Sequence, residues 1–356
     1  MHLPILAPRR GAAFLLLAAL ATDAIAQTTV VVPCAADNTL YQDVTGSLSN
    51  GSGIGLFVGL TGTGGIRRAV LRFNVGAALP PNAVVISATL SMNVAQSTVF
   101  LPMNVTAHRV LASWGEGTSI ASGNGGGGGP AAANDATWLH RFYPGTPWAT
   151  VGGDFAAVPS FVLSMPGFGP FSSTPSAAMA ADVQSWLSNP ALNFGWLLKT
   201  DELLASTAHR IDSRESPGPK PTLSVTYLVP GQNGAYGTGC PIGAGNFGAA
   251  WVGAPTGGNT VQINKTNAQP GSVGADYFAL AVDPLGLPLQ PGCTVYLPLL
   301  QIIPGGIFLT NPGGNGSNSF VIPNGFPGYL IACQSAVLDL SPLGFSVSNA
   351  ALTVLQ

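Results

Sequence analysis

The 356 residues are 46% hydrophobic and only 7% charged, against roughly 25% charged in an average soluble domain. That apolar content excludes a disordered Gly/Pro-rich chain, which lacks the surface to build a core, despite 47 glycines and 30 prolines. A formal net charge of −2 with no basic stripe excludes phosphate-driven nucleic-acid binding.

The chain opens as a targeting signal. Arg9 and Arg10 precede an apolar run at 11–21, and Ala24-Ile25-Ala26 places small residues where a signal peptidase cuts. We read 1–26 as a signal peptide, the alternative being an uncleaved anchor. Its removal takes Arg9, Arg10 and Asp23 and leaves ten basic and thirteen acidic side chains. The location expected is secreted, extracellular or cell-surface.

Residues 27–229 form the first expected domain. In IRRAVLRFNV (66–75), Ala69, Leu71, Phe73 and Val75 alternate with Arg68, Val70, Arg72 and Asn74. The first set is predicted to face a core and the second to face outward. Residues 84–94 and 105–111 repeat the pattern. A loop at 115–134 carries five consecutive glycines, Gly125 to Gly129, and is expected to be exposed, mobile and unable to form a strand. One helix is predicted over 176–187, because Met179, Val183, Trp186 and Leu187 recur at helical spacing. Ser176 caps it, and Asn189-Pro190 ends it.

A Pro/Gly/Asn-rich linker follows at 230–239. The second expected domain, 240–356, shows about eight short strands separated by turn signals. Its only charged residues are Lys265, Asp276, Asp283 and Asp339. Its most apolar stretch, 294–309, is broken by Pro298, Gln301 and Pro304, so it reads as two strands and a turn rather than a transmembrane segment. Few helix formers and many turn residues define an all-β protein of two β-sandwich, jelly-roll-like domains, with one short helix in the first.

Cys34, Cys240, Cys293 and Cys333 carry no zinc-ligand spacing. We expect a Cys240–Cys293 disulfide, since each follows a glycine at a predicted strand start. Cys34 and Cys333 then either bridge the domains or stay as buried thiols, which behave as small hydrophobes.

Eight blocks in series resemble the DNRLRE (disaggregatase-related) family, itself similar to alginate-binding carbohydrate modules. They are DNTLYQD (37–43), IRRAVLRFNV (66–75), HRVLASWGEG (108–117), DATWLHRFY (135–143), ADVQSWL (181–187), NFGWLLK (193–199), IDSRESP (211–217) and PTLSVTY (221–227). The resemblance covers 29–227 and implies a β-sandwich of the kind found on secreted bacterial and archaeal proteins, some of them similar to alginate-binding modules; it carries the fold further than the ligand. Cys34 is not part of the pattern. The second domain is similar only to C-terminal sandwich segments of secreted bacterial surface proteins.

Sugar recognition needs aromatic faces and polar groups, and these gather around the glycine-rich loop. The candidate carbohydrate-binding residues are Trp114, Trp138, His140, Arg141, Tyr143 and Trp148, with Arg141 suited to a uronate carboxylate. The alternative is that the tryptophans are core and the arginine braces its neighbours. Arg68, Arg72, Arg210 and Arg214 form a second group, which becomes a basic strip for an anionic polymer if their strands adjoin; the alternative is internal salt bridging, since Asp212 lies between Arg210 and Arg214 and Glu215 follows. For catalysis, no GxSxG, HExxH or glycosidase-type carboxylate pair is present. A lyase built on His140, Arg141 and Tyr143 would need them on one face, whereas strand alternation turns His140 away. Calcium at Asp37 or Asp43 is a further option with no recognised ligand spacing, and no other cofactor is expected. The expected partner is an extracellular, anionic polysaccharide. A structural or adhesion role in the cell-surface matrix is the alternative, and a polysaccharide lyase or hydrolase the third reading.

Overall fold

The structure, a computed structural model, describes residues 27–340 and 343–356; the predicted signal peptide lies outside them. Strands take up 46% and helices 7%, so the protein is all-β. The six strands Thr28–Tyr41, Thr222–Leu228, Val84–Ser97, His209–Asp212, Gly55–Leu60 and Ile66–Phe73 pair in that order, and Ile66–Phe73 returns to Thr28–Tyr41. The ladder therefore closes into a six-stranded barrel, where the sequence pattern led to the expectation of a β-sandwich.

Two strands make closure possible by changing partner along their length. Residues 28–33 pair with Thr222–Leu228, and the register slips between Cys34 and Ala36 before the strand continues along Ile66–Phe73. Such a bulge bends a strand. Gly55–Leu60 likewise pairs first with His209–Asp212 and then with Ile66–Phe73. Trp196–Lys199, Met103–Arg109 and Phe161–Met165 extend outward from Ile66–Phe73.

Ala69, Leu71, Phe73 and Val75 enter one core with Leu56, Leu90, Ile211, Leu223 and Trp196. The opposite face is not wholly solvent: Val70 is fully buried beneath a second cluster built from 110–155. The helix Ala177–Ser188 buries Met179, Val183, Trp186 and Leu187, and Ser176 Oγ accepts from the Met179 amide at 3.0 Å. A second helix of four residues, Val75–Ala78, was not predicted. One turn is too short to show a period.

The glycine run is held in place rather than free. Gly125 and Gly128 have positive φ. A Cβ on Gly125 would lie 3.2 Å from the Phe57 ring, and one on Gly128 3.1 Å from Tyr41. Tyr41 Oη donates to the Gly125 carbonyl at 2.9 Å and Arg67 Nε to the Gly126 carbonyl at 3.2 Å. Gly129–Pro130 even forms a two-residue strand with Leu48–Ser49. Missing side chains let this backbone lie flat on two aromatic rings, which sequence composition reads as flexibility.

No named strand of 28–228 pairs with one of 233–354. The predicted linker contains a strand, Asn233–Tyr236, that pairs with Ala350–Val354. The sheet continues through Leu330–Leu340, Val273–Ala279 and Ile303–Leu309, beside a three-stranded sheet of Gly248–Val252, Thr260–Thr266 and Gly316–Val321. Cys240 and Cys293 are disulfide-bonded, and Cys34 and Cys333 are buried thiols. Among the described residues no helix is long and apolar enough to cross a membrane.

Candidate functional site

The six predicted sugar-binding residues come together in one region but offer no open aromatic face. Trp114, Trp138 and Trp148 are 3%, 7% and 5% exposed and pack with Leu40, Val70, Val110 and Leu197 on the outer face of the Ile66–Phe73 strand. The polar edges of Trp114 and Trp148 are spoken for. Trp114 Nε1 donates to the Phe194 carbonyl at 2.8 Å, and Trp148 Nε1 to that of Thr137 at 2.9 Å. Arg68 stacks 4.8 Å above the Trp138 ring while donating twice to Glu202. Burying these indoles is what covers the sheet, so they serve as core.

Arg141 Nη1 donates to the Ser113 carbonyl and Oγ at 3.1 and 2.8 Å, bracing the turn before Trp114. His140 and Tyr143 meet edge to face at 5.4 Å, contrary to the expected alternation. The strand His140–Phe142 is only three residues long and slips register between its ends, so face parity does not carry across it. The four arginines form no strip: Gly55–Leu60 lies between the two strands concerned. Arg68 pairs with Glu202, and Arg214 with Glu116 and Glu215.

Arg72 lies over the Trp114 ring, 5.7 Å from its centroid. Arg210 faces a cleft. It sits across from Phe57 on one neighbouring strand and Gln96 on the other, so the three side chains form a row on one face of the barrel wall. They line a cleft of about 820 Å³ together with Thr61, Asn124 and Ser206. At its mouth stand Phe100 and Phe168, 87% and 74% exposed. Arg210 has no salt bridge among the described residues; its Nε is buried without a partner, and Nη1 reaches Gln96 Oε1 only at 3.5 Å. Gly55 makes room for it, since a Cβ there would lie 2.6 Å from Arg210 Nε. The held glycine run supplies another wall. Beside Arg210, His209 is fully buried, with Nδ1 on the Thr207 carbonyl at 2.8 Å and Nε2 unpartnered. Burial lowers its pKa. Gln96 and Phe100 are four residues apart, but residues 57, 168 and 210 are remote from them and from one another, so no spacing rule finds the set; the exposed phenylalanines between turn residues were the available signal.

A second constellation lies at Asp37. Asp43 accepts within its own turn from Thr45 and Ser47, and does not contribute. Asp37 is fully buried beside Glu116 and Glu215, and burial pushes its carboxyl up to about 7.

No protein-family model matches the chain, and no curated protein matches it with significance.

Proposed function

We propose that this is a secreted polysaccharide-binding protein, and that its first region is a jelly-roll-like sandwich of DNRLRE type that takes an acidic sugar chain in the Arg210 cleft. The observation that carries the reading is the pairing of two exposed rings with a guanidinium that lacks a counter-ion. Phenylalanine faces stack on the apolar faces of pyranose rings. A planar guanidinium matches a uronate carboxylate in a bidentate pair. Gln96, Asn124, Thr61 and Ser206 supply donors and acceptors for hydroxyls. The Cys240–Cys293 disulfide supports an oxidising, extracellular location.

Affinity electrophoresis of the mature chain in gels containing alginate, polygalacturonate or a neutral glucan tests this. Retardation by an acidic polymer is expected. Replacing Phe100 and Phe168 together by Ala, or Arg210 by Gln, is expected to weaken it at least about tenfold, the order of 1–3 kcal/mol per lost stacking or charge-assisted contact. Equal mobility in every gel, or unchanged retardation of both variants, sinks the assignment.

A structural role at the cell surface has one observation in its favour. The second region exposes Leu287, Leu289, Leu300, Ile303, Ile307 and Leu309, an apolar surface suited to a neighbour in a matrix. Sedimentation of the purified protein distinguishes the two readings, because a matrix component self-associates.

A further inference from the structure

We propose that Asp37, Glu116 and Glu215 form a binding site for a divalent, oxygen-preferring cation of the calcium class. Each carboxylate offers an oxygen, and these oxygens all lie within 4.8 Å of one another. Calcium–oxygen distances of about 2.3–2.6 Å place opposite ligands roughly 4.6–5.2 Å apart, so a single ion reaches all three.

The unsatisfied atoms point the same way. Asp37 is fully buried, and its Oδ1 has no hydrogen-bond partner. Glu215 Oε2 is also buried and unpartnered. A buried acceptor left bare is costly and rare in a folded protein. The other oxygens are used: Asp37 Oδ2 accepts from the Arg214 amide at 2.8 Å, and Glu116 Oε1 from the Asp37 amide at 2.8 Å.

Charge gives the second argument. Arg214 is the single cation in contact, with Nε at 2.6 Å from Glu116 Oε1 and 2.8 Å from Glu215 Oε1. One guanidinium faces three carboxylates, so the ionised cluster carries an excess of negative charge that a divalent ion would balance. Cys34 Sγ lies 3.8 Å from Asp37 Oδ2 but is not among the mutually close ligands. The donor set is therefore all oxygen, which selects a hard ion over zinc or copper. Access is from the Arg214 side, where its side chain is 38% exposed and those of Glu116 and Glu215 are 18% and 22%. An ion here ties three separate stretches together: the first strand, the turn after Trp114, and the segment that follows His209–Asp212.

Thermal unfolding of the mature chain in calcium chloride and in EDTA, with isothermal titration by calcium and by magnesium, decides the matter. Millimolar calcium is expected to raise the melting temperature by about 3 °C or more, with a saturable heat of binding and a weaker response to magnesium. Asp37→Asn and Glu215→Gln are expected to fold and to lose both responses. The absence of a calcium shift and of binding heat in the unaltered chain overturns the site, and so does a full calcium response in folded Asp37→Asn.

Discussion

Two buried charge clusters, one in each region of the molecule, are built on opposite terms. In the second region Lys265 and Asp276 are 1% and 0% exposed, and their charged atoms meet at 2.8 Å. Asp276 also accepts from Asn318 at 2.7 Å and Ser335 at 2.6 Å, while the Lys265 ammonium lies 4.4 Å above the Phe308 ring. Both oxygens of Asp276 are hydrogen-bonded and the two charges cancel. In the first region three carboxylates meet one arginine, and two buried oxygens lack partners. The difference teaches that a region's charge count says little about its electrostatics. Residues 240–356 hold only four charged side chains, yet two of them form a closed core pair, whereas the more charged region leaves its cluster unbalanced.

The largest expected effect comes from breaking the closed pair. Asp276→Ala strands Lys265 in the core and is expected to cost about 3–5 kcal/mol. Asp37→Asn keeps an acceptor for the Arg214 amide and removes a charge that lacked compensation, so its expected cost is below about 1 kcal/mol. Urea unfolding of both variants checks the contrast; equal losses would erase it.

A smaller effect tests whether the first region's glycine run is as firmly seated as the second region's core. Gly125→Val places a branched side chain at a φ of +82° and against the Phe57 ring. The expected cost is about 1–2 kcal/mol, with faster proteolysis near residue 125. A variant as stable and as protease-resistant as the parent would show that the run is not held.

The smallest effect is on pH. Burial lowers the pKa of His108 and His209, while residues 240–356 contain no histidine. A depressed folded-state pKa means the unfolded chain binds the proton more readily. The stabilising contribution is therefore complete above the ordinary histidine range and is lost as pH falls through the folded value. Between pH 7 and 5 a loss on the order of 1 kcal/mol is expected, reduced in His209→Gln. A slope that survives in His209→Gln assigns the effect elsewhere.

What was legible in the sequence was local. The helix at Ala177–Ser188, its Ser176 cap and its Asn189 end follow from a 3.6-residue period and side-chain chemistry within four residues. The alternation of Ala69, Leu71, Phe73 and Val75 gave the core face correctly, because a strand's two faces are fixed by its own pleat. The reverse face did not follow, since whether Val70 meets water or three tryptophans depends on a segment forty residues on.

The two readings of the candidate tryptophans could not be separated in the sequence for the same reason. Tryptophans near a loop satisfy the chemistry of sugar binding and of core packing equally, and only the placement of Phe194 and Thr137 carbonyls under their Nε1 atoms decided between them. The Phe57–Arg210–Gln96 row exists because two strands change partners and close a barrel, a long-range pairing with no trace in residue spacing. By itself the sequence determined the all-β class and the single long helix, set by composition and short-range geometry, whereas it favoured the Cys240–Cys293 disulfide without fixing it, because those cysteines lie 53 residues apart. Tertiary structure alone decided which charges were compensated, which aromatic rings stayed in water and where an arginine was left without a salt bridge among the described residues, because each depends on contacts between segments far apart in the chain.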